Sequence, residues 1–552
     1  MGTIPSTQTP KIFRPASLVV SFGITLVALG IGVIEAHVFD VFHSGFSGSD
    51  ESAHFVNSYF FWSFLTSGQF NDPLGYAQEF YTAYPRLSIG HWPPLYYLFV
   101  GLLFFVLPPI PESAMALNLA VSMAPVFFVA HLVQQFASWR WALFAGVAYA
   151  AMPLTVKSTW FFMLDQPVAL ICLASAICWQ AYAQSPKYVL ALLYGALAAA
   201  AILVKGNGWL LGLFPVFHIL IGRHWHLLRV LPTYAGAILA IVVVLPWYWI
   251  TAKISAEPFR FEFGGEYALQ ALTFNISMLT DNLGFMGFGF ALLGMILSFI
   301  LARQDSPERR LAVTSISLIL ATLALQSLVP VGLADRYMAP ALPFAVILAV
   351  IGMVLLTRMP WTRHRPILRH TLSIAAAMIL LIPGGSLLLR ESPQRNVRMA
   401  DAAELVLNSA RPYIIVIDGS VGAEGAFIAE VLVRTHNRRM FVVRGSKLLS
   451  YSDFMGNDYR PFVKTSDQVM TVLADLGAGA IVIERHTGGR YYPHSDLLIE
   501  YLNSDASTYR KAGSFEHLNR DGITHVYLAA EPVAPNIDIV RSINFPSRKP
   551  SL

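Results

Sequence analysis

Long apolar runs recur along the first two thirds of the chain, with short polar segments between them. A bilayer crossing needs about 20 apolar residues, and fewer where a helix end is buried in protein. The stretch 95–110 is short, and the Pro-Pro-Ile-Pro-Glu-Ser sequence that closes it has no cation, so we predict a shallow or re-entrant helix there. The pattern predicts about 11 spans, over residues 16–36, 115–137, 141–157, 166–184, 189–205, 207–222, 231–250, 284–303, 311–330, 340–357 and 370–389.

The pattern changes after residue 390, where short apolar runs alternate with amphipathic segments. The runs predict strands over 412–418, 440–443, 480–484 and 524–528, and the segments predict helices over 422–435 and 466–475. This alternation indicates a small soluble α/β domain with a largely parallel sheet. Its Asp418-Gly-Ser-Val-Gly turn follows a strand, where such sheets bind ligands, although glycine is also common in ordinary turns.

Composition supports a polytopic α-helical membrane protein. The chain is 55% hydrophobic and 13% charged with a mean hydropathy of +0.55, whereas soluble chains are about a quarter charged. Cys172 and Cys178 share one apolar run and are interpreted as small packing residues. The net charge of +5 comes from basic clusters beside the spans rather than from a nucleic-acid-binding motif. It therefore indicates how the chain is oriented in the membrane.

Basic clusters predict which side each segment occupies. Lys11 and Arg14 precede the first span, which favours a cytoplasmic N-terminus in a plasma or inner membrane. Residues 1–390 then form a transmembrane domain with extracytoplasmic loops at 37–94 and 251–282. Residues 391–552 form the extracytoplasmic α/β domain.

The first of these loops contains two groups of candidate residues. Asp50, Glu51 and His54 lie near its start, and an adjacent pair of acids at a membrane surface is costly to desolvate. The simpler interpretation is a helix N-cap, because a helix-compatible run follows. Arg86 and the His91-Trp92-Pro-Pro sequence close the loop, where interfacial anchoring is the simple alternative.

Turns that follow the first loop, and that are predicted on the same side of the membrane, contain an acid and two cations. Asp165 begins one span and would otherwise be a helix cap, while Lys205 lies between two spans and would otherwise snorkel to the interface. The Arg336-Tyr337 sequence places an arginine at the same membrane face as these two residues. Carboxylates with lysine and arginine suit displacement at a sugar carbon, in which an acid accepts the hydroxyl proton and cations neutralise the departing phosphate. Arginine is suited to this role because its planar fork binds two phosphate oxygens.

The order of these motifs resembles the GT-C glycosyltransferase superfamily, and is most similar to the branch of protein O-mannosyltransferases and lipid A aminoarabinose transferases. The resemblance covers roughly residues 10–390 and rests on Asp50-Glu51, the proline-containing motif that closes the loop, Leu164-Asp165, Val204-Lys205-Gly206 and Arg336-Tyr337. It implies a polyprenyl-phosphate sugar donor, an extracytoplasmic active site and inversion at the anomeric carbon.

The resemblance also implies roles for individual residues. Asp50, with Glu51 beside it, matches the base or acceptor-orienting acid, and Asp165 matches the second acid. Lys205 and Arg336, followed by Tyr337, match the groups that bind the donor phosphate. The further loop residues assigned to the substrate site are His54, Arg86, His91 and Trp92.

The chain departs from the family pattern at two positions. His91-Trp92 stands where the family often has lysine before proline, and Gln166 separates Asp165 from Pro167. No cofactor is required by the sequence, and the need for a divalent metal is open, with Glu51, His91 and Asp165 as candidate ligands.

Two alternative functions share these features. A transporter also has many spans, but it would place ionisable groups near the middle of the membrane and show internal repeats. A ligase or flippase for lipid-linked glycans would use similar loops. The expected partners are a polyprenyl-phosphate sugar donor, a lipid, glycan or protein acceptor, and membrane lipids, without nucleic acid.

Overall fold

The computed structural model describes residues 15–257, 264–359, 378–388, 397–409, 413–435, 440–453 and 458–544. Lys11, Arg14 and residues 370–377 of the last predicted span lie outside these ranges.

The helices before the C-terminal domain are α1 (Pro15–Val38), α2 (Glu51–Ser67), α3 (Pro73–Ala83), α4 (Leu95–Leu103), α5 (Pro111–Val133), α6 (Trp139–Ala150), α7 (Pro153–Trp160), α8 (Asp165–Gln184), α9 (Tyr188–Val204), α10 (Leu210–Gly222), α11 (Leu231–Ser255), α12 (Gly265–Ile300), α13 (Pro307–Leu328), α14 (Leu342–Thr357) and α15 (Met378–Leu388).

Six of these helices are long and apolar enough to cross a membrane: α1, α5, α8, α11, α12 and α13. Four shorter apolar helices coincide with the predicted spans 189–205, 207–222, 340–357 and 370–389. Helix α4 has nine residues and is therefore about 14 Å long, less than half of a hydrocarbon core of about 30 Å. This length agrees with the shallow helix predicted there, while the number of crossings remains a prediction.

The predicted span 141–157 is wrong as one continuous helix. Helix α6 ends at Ala150, and α7 begins at Pro153. Met152 between them has an extended backbone (ψ 138°), because a residue before proline is driven away from the helical region. The break lets α7 pack beside the start of α8.

Most of the second predicted loop, 251–282, is helical. Helix α11 continues to Ser255, and α12 begins at Gly265 and includes a kink at Gly284, whose φ is +70°. Polar residues such as Asn275 and Asn282 interrupt the apolar pattern before this kink, but both are buried on one face of the helix. Hydropathy alone therefore placed the start of this helix too late.

The C-terminal domain contains α16 (Met399–Asn408), β1 (Ile414–Asp418), α17 (Val421–Thr435), β2 (Phe441–Arg444), α18 (Gly445–Leu448), β3 (Ser450–Tyr451), β4 (Arg460–Pro461), α19 (Ser466–Leu476), β5 (Ala480–His486), α20 (Pro493–Asn503), β6 (Tyr509–Glu516), β7 (Gly522–Ala529) and α21 (Ile537–Asn544). The four predicted strands and two predicted helices are present.

The main sheet has the order β2-β1-β5-β7-β6. Strand β1 pairs in parallel with β2 and β5, whereas β7 pairs antiparallel with both β5 and β6. The sheet is therefore mixed rather than largely parallel. The difference arises because β6 and β7 are joined by a short connection, which permits only antiparallel pairing.

The C-terminal domain packs directly on the first loop (residues 37–94). A Cβ atom added at Gly422 of α17 would lie 2.1 Å from the backbone oxygen of Ser47. Tyr84 and Thr435 share a hydroxyl–hydroxyl hydrogen bond of 2.8 Å, and the Asn544 side chain donates to the Thr82 backbone oxygen. One apolar core runs from the helix bundle through the first loop to one face of the sheet.

Candidate active site

Two acids and two cations from four distant parts of the chain form one cluster. The Arg336 guanidinium donates a hydrogen bond of 3.0 Å to Asp50 Oδ2, and its Nε lies 3.9 Å from Asp165 Oδ2. Lys205 Nζ donates to Asp165 Oδ1 at 2.5 Å. The structure therefore brings together the residues that the sequence proposed for proton acceptance and phosphate binding.

Each member of the cluster lies at the end of a helix. Asp50 precedes α2, Asp165 is the first residue of α8, Lys205 follows α9, and Arg336 belongs to a single 3-10 turn, Asp335–Met338, before α14. The middle segments of these helices are apolar, so the polar side chains lie at one end of the helix bundle.

The simpler interpretations of Asp50 and Lys205 do not agree with their contacts. The Asp50 side chain makes no capping hydrogen bond to α2 and pairs with Arg336 instead. Lys205 does not snorkel to the surface, because its side chain is 11% exposed and points at Asp165, which is 2% exposed. Tyr337 lies beside both cations, with its ring centroid 5.2 Å from Lys205 Nζ and 5.9 Å from Arg336 Cζ.

Burial and the charges of the cluster together shift the pKa values of Asp50 and His54. Burial by itself raises the pKa of Asp50, but the surrounding cations, with Arg336 foremost, outweigh burial and lower it. Burial lowers the pKa of His54 to about 3, helped by the charges of Lys205 and Arg336. At neutral pH, Asp50 is therefore an anion and His54 is neutral.

The Glu51 carboxylate is bound by backbone groups. Its side chain is buried, and its carboxylate accepts hydrogen bonds from the backbone N–H groups of Ser47, Gly48 and Phe162 at 3.1, 2.6 and 3.0 Å. These contacts tie the start of the first loop to the turn between α7 and α8. A catalytic role for Glu51 stays a prediction, and its contacts in this structure are with the backbone.

The remaining loop residues form the wall next to Asp50. His54 shares a hydrogen bond of 2.8 Å with the Tyr97 hydroxyl, and the Trp92 ring meets it edge-on at 4.8 Å. Arg86 donates to the Ser52 hydroxyl at 3.2 Å. Sequence analysis did not identify Tyr97, because a tyrosine within an apolar run carries no distinguishing pattern.

His91 pairs with an acid that follows another helix. Its Nε2 lies 2.8 Å from a carboxylate oxygen of Glu257, which follows α11. The Ser255 hydroxyl also donates to the Gly90 backbone oxygen at 3.1 Å. Glu257 was not proposed from sequence, although an acid directly after a span was a signal that could have indicated it.

The candidate metal ligands Glu51, His91 and Asp165 each have protein partners in this structure. Glu51 is occupied by three backbone donors, His91 by Glu257, and Asp165 by Lys205 and Arg336. In the described part of the chain, no group of three or more His, Cys, Asp or Glu side chains has the arrangement of a metal site.

Comparison with solved structures shows which fold this is. ArnT from Cupriavidus metallidurans bound to undecaprenyl phosphate is similar with a TM-score of 0.58 at 14% identity, over 93% of this chain and 98% of that one. An oligosaccharyltransferase from Archaeoglobus fulgidus, in complex with zinc and sulfate, is similar with a TM-score of 0.52 at 12% identity, over 84% of this chain and 68% of that one. No protein-family model and no curated protein matches the sequence.

Both structures belong to the GT-C superfamily, so the predicted resemblance is confirmed at the level of the fold. The match to ArnT extends over nearly all of both chains, and it therefore includes the C-terminal domain as well as the helix bundle.

Proposed function

Starting from the GT-C fold of this chain, we propose that it is an inverting glycosyltransferase that moves a sugar from a polyprenyl-phosphate donor to an acceptor hydroxyl at the extracytoplasmic membrane face. The observation that carries the proposal is the contact of Arg336 with both Asp50 and Asp165, together with the Lys205–Asp165 pair. These groups are the base and the phosphate-binding cations that such a displacement needs.

In the proposed reaction, the acceptor oxygen forms a bond to the anomeric carbon as the bond from that carbon to the phosphate oxygen breaks. The electron pair of the broken bond stays with the polyprenyl phosphate, and the hydroxyl proton passes to Asp50. Asp50 is suited to this role because it is ionised and its side chain is 24% exposed, so a substrate can reach it. Attack opposite the departing phosphate inverts the anomeric centre.

Lys205 and Arg336 stabilise the negative charge that grows on the departing phosphate. Arg336 is the more accessible cation, with 36% of its side chain exposed, and its planar fork suits two phosphate oxygens. Asp165 is too buried to contact an acceptor and instead holds both cations in place. It is therefore proposed as a positioning residue rather than the second catalytic acid that the motif order indicated.

The location of the cluster also supports a lipid-linked donor. Asp165 and Lys205 lie at ends of the apolar helices α8 and α9, so an isoprenoid tail could remain in the bilayer while its phosphate reaches the cations. The undecaprenyl phosphate in the ArnT structure is a ligand of this chemical class.

The direct test offers the purified protein a panel of radiolabelled polyprenyl-phosphate sugars with candidate acceptors. We expect one donor to be consumed by the wild type, and turnover to be lost in Asp50→Asn while folding is retained. Asp505→Asn, at an exposed site of the C-terminal domain, is the matched control. Full activity of Asp50→Asn would remove Asp50 from the mechanism, and consumption of no donor at all would contradict the proposed donor class.

The proposed sidedness has its own test, because Cys172 and Cys178 are buried and leave the surface free for introduced thiols. A membrane-impermeant maleimide should label Ala506→Cys in intact cells and leave Gln304→Cys, between α12 and α13, unlabelled until the cells are opened. The reverse pattern would place the C-terminal domain in the cytoplasm.

A further inference from the structure

A cavity of about 430 Å³ opens at the turn between α12 and α13 and at the end of α14. Its volume is in the range of small-molecule sites, about 300–1,000 Å³. Leu301, Leu355 and Met359 form its apolar part, and Arg303, Ser306 and Arg358 are among its polar lining residues. The cavity plays no part in the proposed transfer reaction.

The path of the chain places this cavity at the membrane face opposite the acid–cation cluster. Helix α13 begins beside the cavity at Pro307 and ends at Leu328, shortly before Arg336, and α14 returns from Leu342 to Thr357. The 22 residues of α13 rise about 33 Å, close to the thickness of a hydrocarbon core. The cavity therefore lies at the depth of lipid headgroups.

The charges that line the cavity favour an anion. Arg358 is held by hydrogen bonds of 2.6 Å to Glu308 Oε1 and to the Phe136 backbone oxygen. Arg303 is exposed and makes no ion pair within the described part of the chain. Two arginines against one glutamate leave a net charge of +1, and the positive end of the α13 dipole points to the same place.

We propose that this cavity binds the headgroup phosphate of an anionic phospholipid. Arg303 supplies the free guanidinium, and Arg358, held by Glu308, also lines the cavity. Leu301 lines the cavity and is 51% exposed, so an acyl chain would lie against it. A free phosphate ion would use the same cations but not this apolar part, so the apolar residues favour a lipid.

Purified full-length protein in detergent can test this directly. Phosphatidylglycerol, phosphatidylcholine with the same acyl chains, and inorganic phosphate are compared as ligands, with bound lipid counted by native mass spectrometry and stability followed by thermal unfolding. We expect phosphatidylglycerol to bind and stabilise the protein, and the other two to do neither. Arg303→Gln should weaken phosphatidylglycerol binding about fivefold, the contribution of one cation near an anionic headgroup.

Two further variants distinguish lipid binding in this cavity from lipid attraction to general surface charge. Arg229→Gln removes an exposed arginine outside the cavity and should bind like the wild type. Ala302→Trp fills the cavity without removing a charge and should prevent binding. The proposal is overturned if Arg229→Gln and Arg303→Gln lose binding equally, if phosphatidylcholine binds as well as phosphatidylglycerol, or if inorganic phosphate stabilises the protein equally.

Discussion

Asp165 and Lys205 form the most buried ion pair of the candidate site, and burial determines what the pair contributes. Taking two charges out of water costs free energy that their attraction only roughly offsets, so such a pair adds little stability relative to apolar residues. Removing one member of the pair costs much more stability, because the remaining charge stays buried without a partner. The pair is therefore best explained by the need to hold a lysine where the proposed donor phosphate would bind.

This explanation predicts the behaviour of the pair in a double-mutant cycle. Asp165→Asn should lower the free energy of unfolding by about 3–5 kcal/mol, because it leaves the Lys205 charge uncompensated. Asp165→Asn combined with Lys205→Met should recover much of this stability and remain inactive. Thermal unfolding in detergent measures both effects, and a double variant no more stable than Asp165→Asn would contradict the buried-pair explanation.

The electrostatics of Asp50 predict the acid limb of the pH profile. The cations lower the pKa of Asp50, so kcat/KM should remain constant as the pH falls until it reaches values below about 3.9, the ordinary aspartate pKa. Below that point activity declines as Asp50 becomes protonated. His54, with a pKa of about 3, adds no titration near neutrality.

Arg336→Gln should move this limb to higher pH, because it removes the main cation while burial continues to raise the pKa of Asp50. Profiles of the wild type and this variant, measured with saturating acceptor, give the comparison. An unchanged acid limb in Arg336→Gln would show that Asp50 is not the group whose titration limits the rate.

Sequence analysis predicted the members of this cluster but not the direction of every side chain. Asp50, Asp165, Lys205 and Arg336 could be proposed because each is a charge at the end of an apolar run. Glu51 was grouped with Asp50 because the two are adjacent, yet neighbours on a helix point about 100° apart and do not share a face. Only the packing of α7 and α8 shows that Glu51 points inward.

Among helices and strands, those with a strong single pattern were predicted closely. Helices α8 and α9 and strands β1 and β5 begin and end within two residues of their predicted limits. The predictions were wrong where a local feature interrupts the pattern, as at Pro153 and before Gly284. Strand β6 was missed because much of it faces solvent and lacks an apolar run.

The connection between the first loop and the α7–α8 turn gives a prediction about these elements. Glu51→Gln places an amide N–H₂ among three backbone N–H donors, so at least one hydrogen bond is lost within a buried site. We expect a loss of about 1–3 kcal/mol in unfolding free energy for each donor left without a partner. Thermal unfolding measures the loss.

The same variant separates positioning from catalysis. The folded fraction of Glu51→Gln should keep the pH profile of the wild type, because Asp50 remains the titrating group. A shifted acid limb with unchanged stability would instead indicate that Glu51 takes part in the proton transfer.

The two domains meet at the candidate active site, and their contact could not be predicted from patterns along the chain. Gly425 of α17 packs against Ser52 and Arg86 of the first loop. These residues are far apart in sequence, and nothing in the local pattern of either segment indicates the other. The C-terminal domain thus supports the helix that follows Asp50, which gives it a direct means of affecting transfer.

This contact should make Gly425 unusually sensitive to a single methyl group. A Cβ atom there would lie 2.1 Å from the Ser52 hydroxyl and 2.8 Å from Arg86 Nε, so Gly425→Ala must displace these first-loop side chains near Asp50. We expect kcat/KM to fall and the unfolding free energy to drop by about 1–3 kcal/mol, the usual range for overpacking. Gly212→Ala is the control, because a Cβ atom at that helical glycine meets nothing within 4 Å.

A second substitution distinguishes this contact from general damage to the C-terminal domain. Ser52→Ala removes the hydroxyl that stands closest to the new methyl group, so Gly425→Ala combined with Ser52→Ala should regain part of the lost activity. A double variant as inactive as Gly425→Ala, with Ser52→Ala alone fully active, would show that the loss arises within the C-terminal domain. Partial recovery would instead mean that the position of the first loop, and through it of Asp50, depends on the domain packed against it.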